Sequence, residues 1–297
     1  MRFCIFWCFL LFGVSVNQLC SQRLSFRDSV PSLIQCNYFA PRIGIGSMTL
    51  RDENLSPLFY DGFNLNLGFG YEWYKPKWYH DVVVLLDYGA LSAKLPKTYM
   101  PTGNTMTHVI GINLSTTHLW RTPWIPSDKW TFEIGGSFKS SPYGKINPSL
   151  FNNAFSASYF LNIMSSGKIS YDLSRTNSYF KTTKKGKEKL KTAVQRKLNF
   201  QFDAGLLNLS YLPGFTNVYM TEYGDDMKMV KGMFKEYKAT LKGFRFDFKL
   251  EFLHLFSTGN GHRLALVTSV LHTPGRYRPL DFGATFLQYT MLINQKK

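Results

Sequence analysis

The sequence predicts an all-β fold: a closed, up-and-down antiparallel transmembrane β-barrel of about twelve strands, with ten as the alternative count. Three observations predict it. Apolar and polar residues alternate with a period of two along most of the chain, as in strands with one greasy face. Many of these segments run for about 9–13 residues, near the ~9–11 that a tilted strand needs to cross a bilayer. The five tryptophans beyond the first 21 residues all flank two short proline-containing turns.

The elements follow in order. Residues 1–21 read as a secretory leader: Arg2, an apolar run from Phe3 to Val16, then small residues at Cys20 and Ser21, with cleavage expected before Gln22. That run is too short for a spanning helix of ~20 residues. A lipidated Cys20 is disfavoured by the bulk of Leu19 before it. No later stretch approaches a spanning helix, so a membrane location requires a closed barrel, because lipid satisfies neither a sheet edge nor irregular backbone. Residues 22–41 are expected to form an N-terminal periplasmic segment and residues 42–297 the barrel domain.

Strand signals then recur at 42–50, 62–74, 80–92, 108–120, 129–139, 153–163, 168–175, 197–207, 240–256, 262–272 and 282–293. The cleanest is GFNLNLGFGYEWY at 62–74, where Phe63, Leu65, Leu67, Phe69, Tyr71 and Trp73 alternate with Asn64, Asn66, Glu72 and glycines. Residues 208–238 break the rhythm and leave a plug, an irregular periplasmic turn or a strand pair equally open, with a twelfth strand around Asn217–Tyr223 completing the even count usual for bacterial barrels. Counting up and down from a periplasmic N-terminus places Tyr74–Lys77, Arg121–Lys129 and Ser165–Lys168 as periplasmic turns. The same count places 51–62, 91–107, 140–152 and 176–196 as extracellular loops. Trp73, Trp78, Trp120, Trp124 and Trp130 then form a periplasmic aromatic girdle, where an apolar ring with an N–H is at home.

Composition narrows the chemistry. Cys4, Cys8 and Cys20 fall in the leader, so Cys36 has no partner for an internal disulfide, and no Cys/His metal site or cofactor is expected. The formal charge of +16 is of the kind that suggests nucleic acid, but export argues against that partner. Much of the charge sits in one stretch: residues 181–197 hold eight Lys or Arg and one Glu, a formal +7. Lys181, Lys184, Lys185, Lys187, Lys189 and Lys191 are expected in an exposed extracellular basic loop, with or without a helical turn, read first as a solvated charge run and second as a surface that attracts the phosphates of lipopolysaccharide or other anionic glycans.

The strand at 238–256 carries Arg245, Asp247, Lys249 and Glu251 opposite Phe244, Phe246, Phe248, Leu250, Phe252 and Phe256. Alternating charges cannot face lipid cheaply, since Arg or Lys costs ~2–4 kcal/mol at the bilayer midplane. They are expected to point into the lumen, either as an ion-paired ladder in a filled interior or as a charged pore lining. Of the histidines, His118 with Ser115 and His254 with Ser257 are three apart, which places each pair on opposite faces of a strand. No catalytic residue is therefore assigned.

The stretch NLSPLFYDGFNLNLGFGYEW (Asn54–Trp73) and, more weakly, GFTNVYMTEYG (Gly214–Gly224) resemble a family of outer-membrane barrels of unknown function from Bacteroidota, and the leader ending Ser21–Gln22 looks like those of that phylum. The resemblance implies fold and location and brings no activity. The chain ends Asn294-Gln295-Lys296-Lys297, whereas such barrels commonly end in an aromatic residue. The expected role is a surface-structural or binding barrel, or a narrow channel. An outer-membrane lipid hydrolase and a secreted soluble β-protein are the rivals. The expected partners are outer-membrane lipid, lipopolysaccharide and the barrel-assembly machinery.

Overall fold

The computed structural model describes residues 36–53, 56–94, 103–124, 129–149, 155–175, 179–182, 188–191, 194–212, 238–256, 258–275 and 278–295. The leader and the suggested strand at 217–223 lie outside these residues. The strands are β1 (Asn37–Asp52), β2 (Tyr60–Tyr74), β3 (Trp78–Lys94), β4 (Asn104–Thr122), β5 (Trp130–Ile146), β6 (Phe155–Asp172), β7 (Tyr179–Thr182), β8 (Glu188–Lys191), β9 (Gln195–Leu212), β10 (Lys238–Thr240), β11 (Phe244–Leu255), β12 (Gly261–Thr273) and β13 (Leu280–Asn294).

Ten of them close an antiparallel barrel in sequence order: β1 to β6, then β9, β11, β12 and β13, with β13 returning to β1 through pairs such as Ile43↔Tyr289. Closure leaves no free edge. Among the described residues the barrel has the ten strands of the alternative count, with the short β10 as an extra strand. The expected strand at 240–256 is interrupted at Leu241–Gly243, where Gly243 has φ +104°. The short β10 continues beyond the interruption, in the register that β11 holds against β9. β1 begins at Asn37, so the end of the expected periplasmic segment already belongs to the barrel.

The alternation sorts side chains as a barrel requires. In β2, Phe63 is 50% exposed while its neighbour Asn64 is 1% exposed. Phe248, Leu250 and Phe252 of β11 likewise face out, and Asp247 and Glu251 are buried. Aromatic and aliphatic side chains thus clothe the exterior, and polar ones fill the interior.

Ser165–Lys168 is not a turn: 153–163 and 168–175 belong to the single strand β6. Serine and glycine are turn formers, but here the alternation runs straight through, with Met164, Ser166 and Lys168 buried and Ile163 and Ile169 exposed. The β6–β9 register slips between Ile163 and Met164, and Leu206 is the extra residue on β9. This bulge turns both Leu206 and Leu207 outward and moves the inward set of β9 from Asn199, Gln201 and Asp203 to Ser210 and Leu212.

Because β6 is one strand, every later connection changes ends. The connections β2–β3, β4–β5, β6–β9 and β11–β12 lie at the end where β1 begins and β13 finishes, here the terminus end. The basic stretch within the β6–β9 connection therefore lies on the same end as the tryptophan turns, not opposite to them. It contains no helical turn among its described residues. β7 and β8 pair there as a hairpin, Tyr179↔Lys191 to Thr182↔Glu188, in keeping with the β-preferring Tyr179, Phe180 and Thr182.

Candidate functional site

The interior is the place where polar chemistry collects. A ten-stranded barrel is slightly wider than the eight-stranded one whose bore side chains just fill, and charged residues from most of the strands occupy the difference. In the layer nearer the terminus end, the buried Glu72 of β2 receives Arg42 Nη2 at 2.7 Å and Arg263 Nη1 at 3.0 Å, with Tyr74 Oη donating at 3.0 Å. Arg263 also lies 3.4 Å from Glu251 through Nε, and Lys249 Nζ pairs with Glu251 at 2.6 Å. Asn199 donates to the second Glu251 oxygen at 3.3 Å.

A second layer joins β5, β9 and β11. Lys139 Nζ meets Asp203 at 3.1 Å and also contacts Asp247, which Arg245 Nε approaches at 3.2 Å. Arg245 donates further to Asn162 at 3.0 Å and to Ser141 at 3.3 Å. Beside it, Tyr143, Asn113 and Asp87 form a hydrogen-bonded cluster, with Asn113 Nδ2 2.9 Å from Tyr143 Oη. Arg245, Asp247, Lys249 and Glu251 thus all point inward, and each is neutralised by a partner. Charges so placed in low dielectric need such partners.

Apolar clusters lie above and below these layers. At the terminus end Tyr38, Ala40, Leu253, Leu255 and Leu292 pack together with Cys36. At the opposite end Met48, Leu50, Tyr60, Leu91, Val109, Phe160 and Leu271 do so, with Asn147 donating to Thr107 at 2.7 Å and Tyr60 at 3.2 Å and Lys145 paired with Asp52. Between them remains a cavity of about 130 Å³, room for about four waters at ~30 Å³ each. Val83, Leu85, Val267 and Phe286 line one side of it, and Lys139, Gln201 and Asp203 another.

The exterior has its own order. Trp73, Trp78, Trp120, Trp124 and Trp130 all lie at the terminus end, with Trp120, Trp124 and Trp130 the most exposed. The histidines, to which no role is assigned from sequence, take ordered places on this exterior. His80, His118, His254 and His262 lie outward at that same end, and His108 and His272 outward at the other. They interleave with aromatics: Trp73–His80 at 5.0 Å, Trp78–His118 at 5.5 Å and His118–Trp120 at 4.4 Å between ring centroids. The signal was present in the spacing, for His108 and His118 in β4, and His262 and His272 in β12, are each ten residues apart on the outward phase. Ten residues at ~3.3 Å, tilted by ~40°, rise about 25 Å, the height of an apolar barrel band. Among the described residues, no Lys, Arg, Asp or Glu faces outward between these two levels.

Lys181, Lys189 and Lys191 belong to the β7–β8 hairpin, and Lys184, Lys185 and Lys187 lie outside the described residues. No group of three or more metal-ligating side chains occurs among the described residues. His272 Nδ1 lies 2.6 Å from Asp281 on the exterior.

No protein-family model matches the chain. No curated protein does either. Solved barrels overlap it loosely. The β domain of the Bordetella autotransporter BrkA is 8% identical with a TM-score of 0.32, over 86% of this chain and 99% of that one. The transport unit of the autotransporter AIDA-I from Escherichia coli is 8% identical with a TM-score of 0.34, over 90% and 93%. An outer membrane channel from Pseudomonas putida F1 is 8% identical with a TM-score of 0.31, over 92% and 100%.

Proposed function

We propose that the chain is an outer-membrane β-barrel with a filled lumen, a surface-structural or binding barrel and not an open pore. The observation that carries this is the exterior: an apolar belt about 25 Å high, free of outward charge among the described residues and bordered on both sides by histidine and aromatic rings. A soluble barrel would place its polar face there and its aromatics inside. β1 begins and β13 finishes at one end of the barrel, and single-chain bacterial barrels keep that end periplasmic. On this reading the tryptophan girdle is periplasmic, and so is the basic β6–β9 connection, on the side away from lipopolysaccharide.

The interior supports the filled reading. Each cation of the ladder has a carboxylate within ion-pair distance, and apolar clusters bracket the charged layers. Purified chain, refolded into planar bilayers, is expected to show the gel-mobility shift on boiling that folded barrels give, and no unit conductance. Discrete conductance steps from pure protein would replace the filled-lumen reading with a channel. Recovery in the aqueous fraction without detergent would remove the barrel-in-lipid reading altogether.

A further inference from the structure

We propose that Arg196, His254, His262 and Tyr289 form a binding site for the headgroup phosphate of an anionic phospholipid in the leaflet on the terminus side. The inference rests on the bilayer reading above. These four residues cross β9, β11, β12 and β13 as one polar row on the exterior. Arg196 and His254 are directly opposite in the β9–β11 ladder, and His254 and His262 in the β11–β12 ladder. Arg196 Nε donates to His254 Nδ1 at 3.1 Å, and the Tyr289 hydroxyl contacts His262 Nδ1. Phe256 packs edge-on against both imidazoles, at 5.1 Å from each.

This arrangement leaves donors and removes acceptors. An imidazole that accepts at Nδ1 is neutral with its proton on Nε2, so His254 retains an N–H to give. The bond through Nε fixes the Arg196 guanidinium while leaving its Nη fork, the geometry that suits phosphate. No carboxylate of the described residues pairs with Arg196.

The height is right as well. His262 stands ten residues below His272 on the same face, so the row lies at the border of the apolar belt, where the penalty for an outward Arg falls to ~0–1 kcal/mol. Before β9 the β7–β8 hairpin, on this same end, carries Lys181, Lys189 and Lys191. Each basic residue near an anionic membrane surface strengthens attachment about fivefold. A zwitterionic headgroup would gain little from that field, which is why the occupant is assigned as anionic.

The test uses the refolded full chain in micelles holding equal phosphatidylglycerol and phosphatidylcholine, with retained lipid counted by native mass spectrometry. The wild-type chain is expected to keep phosphatidylglycerol in at least fivefold preference. Arg196→Gln should bring the ratio close to parity, Arg196→Lys should restore part of it, and millimolar inorganic phosphate should not displace the lipid. Equal retention of both lipids by the wild type would overturn the site. So would a preference unchanged in Arg196→Gln, displacement by free phosphate, or loss only when the six lysines from Lys181 to Lys191 become glutamine. Gel mobility on boiling, read from the same samples, separates the two levels. A folded barrel without preference refutes the lipid site alone, and a chain that never folds into the micelle refutes the barrel-in-lipid reading with it.

Discussion

Glu72 shows how much a single interior side chain carries. Its carboxylate is fully buried and receives two guanidiniums, from Arg42 and Arg263, that arrive from strands on either side of the seam where β13 meets β1. Breaking a buried pair by removing one partner leaves uncompensated charge and costs ~3–5 kcal/mol. Glu72→Gln is therefore expected to destabilise the barrel by about that amount, read as a lower boiling-shift temperature and a lower urea midpoint. A change within error would mean that water reaches Arg42 and Arg263. The inward direction of Arg245, Asp247, Lys249 and Glu251 was legible in the sequence, because alternating charges opposite phenylalanines leave one solution. Their partners were not, because Lys139 and Asp203 come from strands far off in sequence and nothing in local pattern names them.

At the scale of the element, β9 accommodates its extra residue at one point. Leu206 is 71% exposed and its neighbour Leu207 also faces out, after which the inward phase resumes on even numbers. Deleting Leu206 joins the two phases into regular alternation, so the variant is expected to fold and keep its boiling shift. Deleting Leu266 from the unbulged β12 is expected to abolish folding, because a one-residue slip turns part of the inward set outward and takes Arg263 away from the buried Glu72. Equal tolerance of both deletions would show that the inward set is not fixed. Strand existence was readable from period two along nearly the whole chain. Strand continuity was not: Ser165-Ser166-Gly167 has turn chemistry in isolation, but pairing with Gly136, Gly135 and Ile134 of β5 and with β9 keeps it extended.

At the scale of the whole molecule, that one error of continuity moved the basic connection from the outer end to the terminus end. The tryptophan turns kept their place because they precede it. Closure and belt height emerge from long-range pairing: β13 meets β1 across almost the full length of the chain, and no window of sequence contains both. The histidines at His108 and His118, and at His262 and His272, mark the two borders of the belt, and this meaning appears only once the phase of each strand is known.

The lipid-facing exterior is tested most directly by depth measurement along β12. Nitroxide labels placed one at a time from Leu264 to Leu271, in a Cys36→Ser background reconstituted in a bilayer, should show oxygen collision rates that alternate with period two. Maxima are expected at 264, 266, 268 and 270, with the deepest positions at 266 and 268, midway between the two histidines. Maxima at 265, 267, 269 and 271, or access of water-soluble reagents to position 266, would contradict a barrel that turns its greasy face to lipid.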